Sequence, residues 1–128
     1  MSGLTNATAS AVIDDQNGVT TRTAPTTPLK LRVETVAGTT SAAGTELGST
    51  TFPSITMGAA SGTPPVASNS GSVTITCGAG GTVVAAAIWD SAGTPIRKWW
   101  GALTTSRTVV TSDSLVFAIG AVTTSITS

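Results

Sequence analysis

Residues 29–34 alternate in polarity, with Leu29, Leu31 and Val33 interleaved among Lys30, Arg32 and Glu34. A period of two predicts a strand with one buried and one wet face. The pattern returns in "SVTITC", where Val73, Ile75 and Cys77 share a face. "TVVAAAIWD" is a more continuous apolar run, as expected of a central strand, and the intervening "GAGG" (Gly78 to Gly81) predicts a hairpin between the two. "TTFPSITM" carries Phe52, Ile55 and Met57 with Pro53 among them, which predicts an edge strand or a bulge.

Further on, "IWDSAGTPIRKWWGAL" (residues 88–103) divides into two strands joined by the turn "DSAGTP". In the run that follows, Val116 and Ala118 oppose Leu115, Phe117 and Ile119. Long turn-forming stretches, "AGTTSAAGTELGS" and "GAASGTPPVASNSG", separate the apolar segments. About seven or eight short strands with a turn every 8 to 12 residues or so predict an all-β fold, a single antiparallel β-sandwich or barrel over residues 29–128. Nothing in the order of segments suggests βαβ units.

Residues 1–28 read differently, as an N-terminal extended arm. Within it "LTNATASAVID" (residues 4–14) suits a short helix, with Thr5 as cap and Leu4, Ala9, Val12 and Ile13 along one face. "DDQNGVTTRTAPTTP" then supplies an Asn17-Gly18 turn signal and two prolines, the composition of a linker. A helix this short is marginal alone in water, so the arm is expected to be disordered or docked.

Composition narrows the partners. Six basic and six acidic residues cancel, and only 9% of residues are charged. Nucleic-acid binding needs clustered Lys and Arg to displace counterions, whereas Arg22, Lys30, Arg32, Arg97, Lys98 and Arg107 are scattered; no nucleic-acid partner is expected. With 40% hydrophobic residues the chain is expected to fold. Thr and Ser hydroxyls take the place of surface charge, which suits β-surfaces and lowers the cost of burying a face in an assembly. No run reaches the roughly 18 apolar residues of a membrane span, so no membrane partner is expected. The opening residues lack the basic and apolar regions of a signal peptide, which points to synthesis in a cytoplasm.

Catalytic and cofactor chemistry finds little foothold. There is no histidine for a triad or an imidazole metal site, and Cys77 stands alone, so neither a disulfide nor a cysteine metal site is expected within the chain. Cys77 is expected to be a small buried hydrophobe. A glycosidase-like pair might be sought in Asp90 and Asp113, but both lie in turn contexts, "WDSAG" and "TSDSL", where Asp bonds nearby backbone N–H groups. "GAGGT" lacks the lysine of a phosphate loop. The expectation is a protein without enzymatic activity, cofactor or metal.

The three tryptophans remain. Trp89 continues an apolar strand and is expected in the core. Trp99 and Trp100 are adjacent, so on a strand one faces the core and the other outward. An outward tryptophan beside Arg97 and Lys98 is either an anchor for a protein interface, the favoured reading, or a platform for a host glycan.

The order of segments, "GLTNATASAVIDD", "TAPTTPLKLRVETVAGTTSAAGTEL" and "IWDSAGTPIRKWWGALTTSRTVVTSDSLVFAIGAVTTSIT", resembles a family of small tailed-phage virion proteins. The resemblance spans nearly the whole chain and is densest from Ile88 to Thr127. The chain departs from it at Ser112, where the family often has glycine, and at "GSTTFPS", where it commonly has an aromatic "GGGYAR"-like stretch. The resemblance implies a structural role in the virion, as a capsid decoration (cement) protein or as a minor tail or fibre protein.

A small domain with an extended arm and no heptads or fibre repeats favours capsid decoration among these, since an arm can reach across capsomer boundaries. On that reading a homotrimer binds the major capsid protein on the capsid exterior. Leu4, Val12 and Ile13 would dock the arm, and Arg97, Trp99 and Trp100 are the other candidates for interaction. The alternatives are a tail or fibre subunit, and a carbohydrate-binding module using Trp99 or Trp100.

Overall fold

A computed structural model describes residues 3–126; Met1 and Ser2 of the arm and Thr127 and Ser128 of the domain lie outside the described residues. Its strands form a β-sandwich, as the alternation predicts. The longest are β2 (Leu29–Val36), β7 (Gly81–Trp89) and β8 (Arg97–Val109). They are joined by β1 (Gly3–Leu4), β3 (Thr45–Glu46) and β4 (Ser54–Ile55) in an antiparallel sheet of order β1-β8-β7-β2-β3, with β4 on the end of β2. Two ribbons complete the fold: β6 (Val73–Thr76) with β9 (Ser114–Phe117), and β5 (Val66–Ser68) with β10 (Thr123–Ser125). Counting those of two residues, the described residues hold ten strands, more than the apolar runs alone suggest.

The core lies between the large sheet and the ribbons. Leu31, Val33, Ala86 and Ile88 from the sheet meet Val73, Ile75 and Cys77 from β6 and its end, all at most 4% exposed. Phe52, Trp99, Leu115 and Phe117 close its margins.

Several expectations change. "GAGG" does not close a hairpin: β6 pairs with β9, and the glycines carry the chain from a ribbon to the large sheet. Gly78 is needed there because a Cβ on it would run into the Ser49 carbonyl. Only Ser54–Ile55 of "TTFPSITM" forms a strand, next to Pro53. Glu34, expected on a wet face, is 1% exposed, because a loop covers that side of the sheet.

The N-terminal segment is docked on the chain's own domain. Gly3 and Leu4 pair with Trp100 and Trp99. Thr5 is 6% exposed; its N–H donates to the Lys98 carbonyl (3.0 Å) and its hydroxyl to the Arg97 carbonyl (3.1 Å). Its side chain also accepts from the Thr8 N–H, capping α1 (Asn6–Gln16) as the sequence predicts. None of the residues of α1 is buried. Among the described residues no helix is long and apolar enough to cross a membrane.

Candidate binding site

The face of the large sheet opposite the core is unusually polar for a buried surface. Register places Arg32 and Glu34 of β2, Ala85, Ala87 and Trp89 of β7, and Arg97 and Trp100 of β8 together on it. Arg97 joins this face through a bulge. Ile88 pairs with Trp99 but Trp89 pairs with Arg97, so Lys98 is the extra residue and the alternation reverses. Without the bulge Arg97 would share the side of Trp99.

The loop of residues 37–44 folds over this face. The Arg97 Nη2 donates to the Thr39 carbonyl, and the Gly44 N–H donates to Glu34 Oε2 (3.0 Å). Within the loop the Thr39 N–H reaches the Ala42 carbonyl (2.8 Å). Gly44 permits the closure, since a Cβ there would strike the Val36 carbonyl. Arg32 stacks on Trp89 and pairs with Glu46 at 2.8 Å.

Four buried polar atoms on this face have no hydrogen-bond partner: Glu34 Oε1, Trp89 Nε1, Arg97 Nη1 and Trp100 Nε1. Three are donors and one is an acceptor. Buried polar groups are ordinarily satisfied, so the imbalance marks a face short of acceptors.

Two depressions flank α1. The larger, about 590 Å³, runs between the helix and the body, where Leu4, Val12, Pro25, Leu29 and Trp99 give it an apolar lining. The smaller, about 380 Å³, opens between the first turn of α1 and the 37–44 loop. Trp89 and Arg97 line it, with Asn6 and Ala7 on one side and Thr40, Ser41 and Ala43 on the other.

The residues singled out from sequence are thus divided. Leu4, Val12 and Trp99 all line the larger groove. Ile13 stands apart, 58% exposed. Trp99 packs on the core, and Trp100 lies half-buried on the opposite face. Arg97 is only 7% exposed. Trp89, expected in the core, shares the face of Trp100, because its neighbour Ile88 takes the inward position. Sequence reasoning missed Glu34 and the covering loop. The glycines bracketing that loop, Gly38 and Gly44, are the signal that might have found it.

Against known proteins, residues 3–125 match the family described as podophage GP4 fiber I protein gp80. The chain belongs to this family. It is accordingly a structural protein of a tailed-phage virion. No curated protein matches the chain.

Within the fiber I family chain, the departure at Ser112 has a geometric meaning. Ser112 has φ +75°, in the left-handed region that glycine enters without steric cost. It sits in a turn closed by the Asp113 N–H on the Val110 carbonyl (3.1 Å), and Asp113 Oδ2 accepts from the Val110 N–H (2.9 Å). Asp90, 3% exposed, accepts from the N–H groups of Ala92 (3.4 Å) and Ile96 (2.8 Å). The two aspartates lie at opposite ends of the β7–β8 pair, near Trp89 and near Val109, too far apart to flank one scissile bond. Cys77 is buried, and its burial, with the Asp113 charge as a lesser cause, pushes its thiol pKa up. Among the described residues no three Cys, Asp or Glu side chains gather in a metal-binding group.

Proposed function

We propose that the chain is a subunit of a fibre-type appendage on the virion, working by protein–protein contact and without catalysis. The observation that carries the reading is the family match over residues 3–125, whose description names a fibre protein. The capsid-clip alternative draws its physical appeal from an arm free to reach across capsomers. Here Gly3, Leu4 and Thr5 are hydrogen-bonded to β8 of the same chain, which weakens that appeal.

Its partners are other virion subunits, copies of itself first among them. Val110, Val116 and Ile119 each stand more than 60% exposed on a surface with few charges, a composition that suits burial in an assembly. Cryo-electron microscopy of the particle with an epitope tag on this chain tests the assignment. Density for the tag on a fibre is expected, and tag density over the capsid threefold junctions would overturn it.

A further inference from the structure

We infer that β9 is a pairing edge for a second copy of this chain, joined antiparallel about a twofold axis. This deepens the fibre reading and rests on the self-association proposed there.

The edge is open. Among the described residues β9 pairs with β6 alone. The Cys77 N–H donates to the Asp113 carbonyl (2.8 Å) and the Ser112 N–H to the Cys77 carbonyl (2.8 Å), which sets the phase of the ladder. Hydrogen-bonded and non-hydrogen-bonded pairs alternate from there, so Ile75–Leu115 and Val73–Phe117 exchange bonds while Thr74–Val116 and Thr76–Ser114 do not. The N–H and C=O groups of Ser114 and Val116 therefore point away from β6, and both residues are exposed. No proline or charge lies within β9 to blunt it.

The surroundings select a copy of the same chain. No charged residue occurs between Glu46 and Asp90, and none follows Asp113, so both strands of the β6–β9 ribbon are free of charge. A surface that meets its own twin sets like groups near like, a contact that charge opposes and a neutral surface permits. Exposed apolar side chains also mark the length of β9. Val110 lies in the turn before it, Val116 within it and Ile119 just after it, each more than 60% exposed.

Antiparallel pairing centred on Leu115 sets Val116 of each copy opposite Ser114 of the other. It brings the Val110 turn of each beside the Ile119 turn of the other, so the apolar ends cover one another. The same register keeps the two Asp113 carboxylates apart. Each faces Phe117 of the other copy, and Phe117 and Asp113 are about 13 Å apart along an extended strand, beyond the screening length of about 8 Å at physiological salt. Two ribbons of two strands become one sheet of four, past the size at which a sheet holds together by itself.

The test is sedimentation velocity of the full chain over a range of concentrations, with amide hydrogen exchange followed by NMR. A concentration-dependent dimer is expected, in which the Ser114 and Val116 amides exchange about tenfold or more slowly than in the monomer. The Leu115 and Phe117 amides, bonded to β6, are slow in both. Two variants probe the edge. Val116→Lys adds a charge at an exposed position, and Val116→Pro removes the N–H that points away from β6, a loss that an edge strand tolerates. Each is expected to weaken the dimer by about tenfold or more, with the unfolding midpoint of the dilute Val116→Lys chain kept. A dimer left intact by Val116→Lys, or one in which Ser114 and Val116 exchange as fast as in the monomer, would overturn the edge and leave self-association standing. A trimer in place of a dimer would overturn the twofold axis. A chain that stays monomeric at millimolar concentration would overturn the inference outright, whereas the fibre location is decided separately by the tag density.

Discussion

The Arg32 guanidinium lies 4.3 Å from the centroid of the Trp89 ring, diagonally across the β2–β7 pair, because Arg32 faces Ala87 and Trp89 faces Lys30. The same guanidinium holds Glu46 at 2.8 Å, so one side chain joins β2, β3 and β7 on the face away from the core. Arg32→Lys keeps the charge but loses the planar stack and is expected to cost about 0.5–1 kcal/mol; Arg32→Ala should cost about 1–2 kcal/mol. Glu46→Gln should cost less, about 0.2–1 kcal/mol, since the pair is partly solvated. A double-mutant cycle of Arg32→Ala with Trp89→Leu, measured by urea denaturation, checks whether most of the Arg32 effect runs through the ring.

Asn69 is 1% exposed and fully engaged. Its Nδ2 donates to the carbonyls of Gly71 (2.7 Å) and Ala118 (3.0 Å), and its Oδ1 accepts from the Val122 N–H (2.9 Å). It thereby fixes the turn between β9 and β10 to the end of β5. Asn69→Ala strands three backbone groups and is expected to lower stability by about 2–4 kcal/mol. Asn69→Asp keeps only the accepting contact and should be nearly as costly. Thermal unfolding with amide exchange at Val122 provides the measurement.

At Ser112 the expectation runs the other way. A residue with φ +75° is strained unless it is glycine, so Ser112→Gly should raise stability by about 0.5–1 kcal/mol after the added flexibility of the unfolded chain is counted. Ser112→Val, with its branched Cβ, should lower it. Equilibrium denaturation of the two variants decides the matter.

The buried Cys77 thiol predicts a pH dependence. Its pKa is raised in the folded state, first by burial and then by Asp113, so the unfolded chain loses the thiol proton at lower pH than the folded one. Between the unfolded and the folded values the native state binds more protons, and stability therefore falls as pH rises. The decline begins near the ordinary thiol pKa and ends above the folded value. The slope contributed by Cys77 is at most about 1.4 kcal/mol per pH unit, and Cys77→Ala should abolish it while lowering stability near neutral pH, where the thiol is protonated in both states. Urea midpoints from neutral to alkaline pH test the sign.

Much of the fold was legible because local chemistry and global packing agree. The alternation of Leu29, Leu31 and Val33 named the inward face of β2, and all three lie at or in the core. Thr5 named the start of α1. The turn between Ile88 and Leu103 named the β7–β8 pair. The candidate site was harder, since the residues that build it are far apart in sequence. Its parts come from the start of α1, from the loop after β2, from the end of β7 and from the start of β8.

By itself the sequence determined an all-β domain with low charge, a capped N-terminal helix and a resemblance to phage virion proteins, since each rests on residue type and short-range periodicity. Tertiary structure alone decided that β6 pairs with β9, that Gly3 to Thr5 dock on β8, and that Trp99 faces the core with Trp89 and Trp100 behind it. A single bulge at Lys98 swung Arg97 onto the side of the tryptophans. The physical reason is that alternation fixes which residues of a strand share a face, but pairing partners, bulges and covering loops are set by long-range packing, which no local pattern encodes.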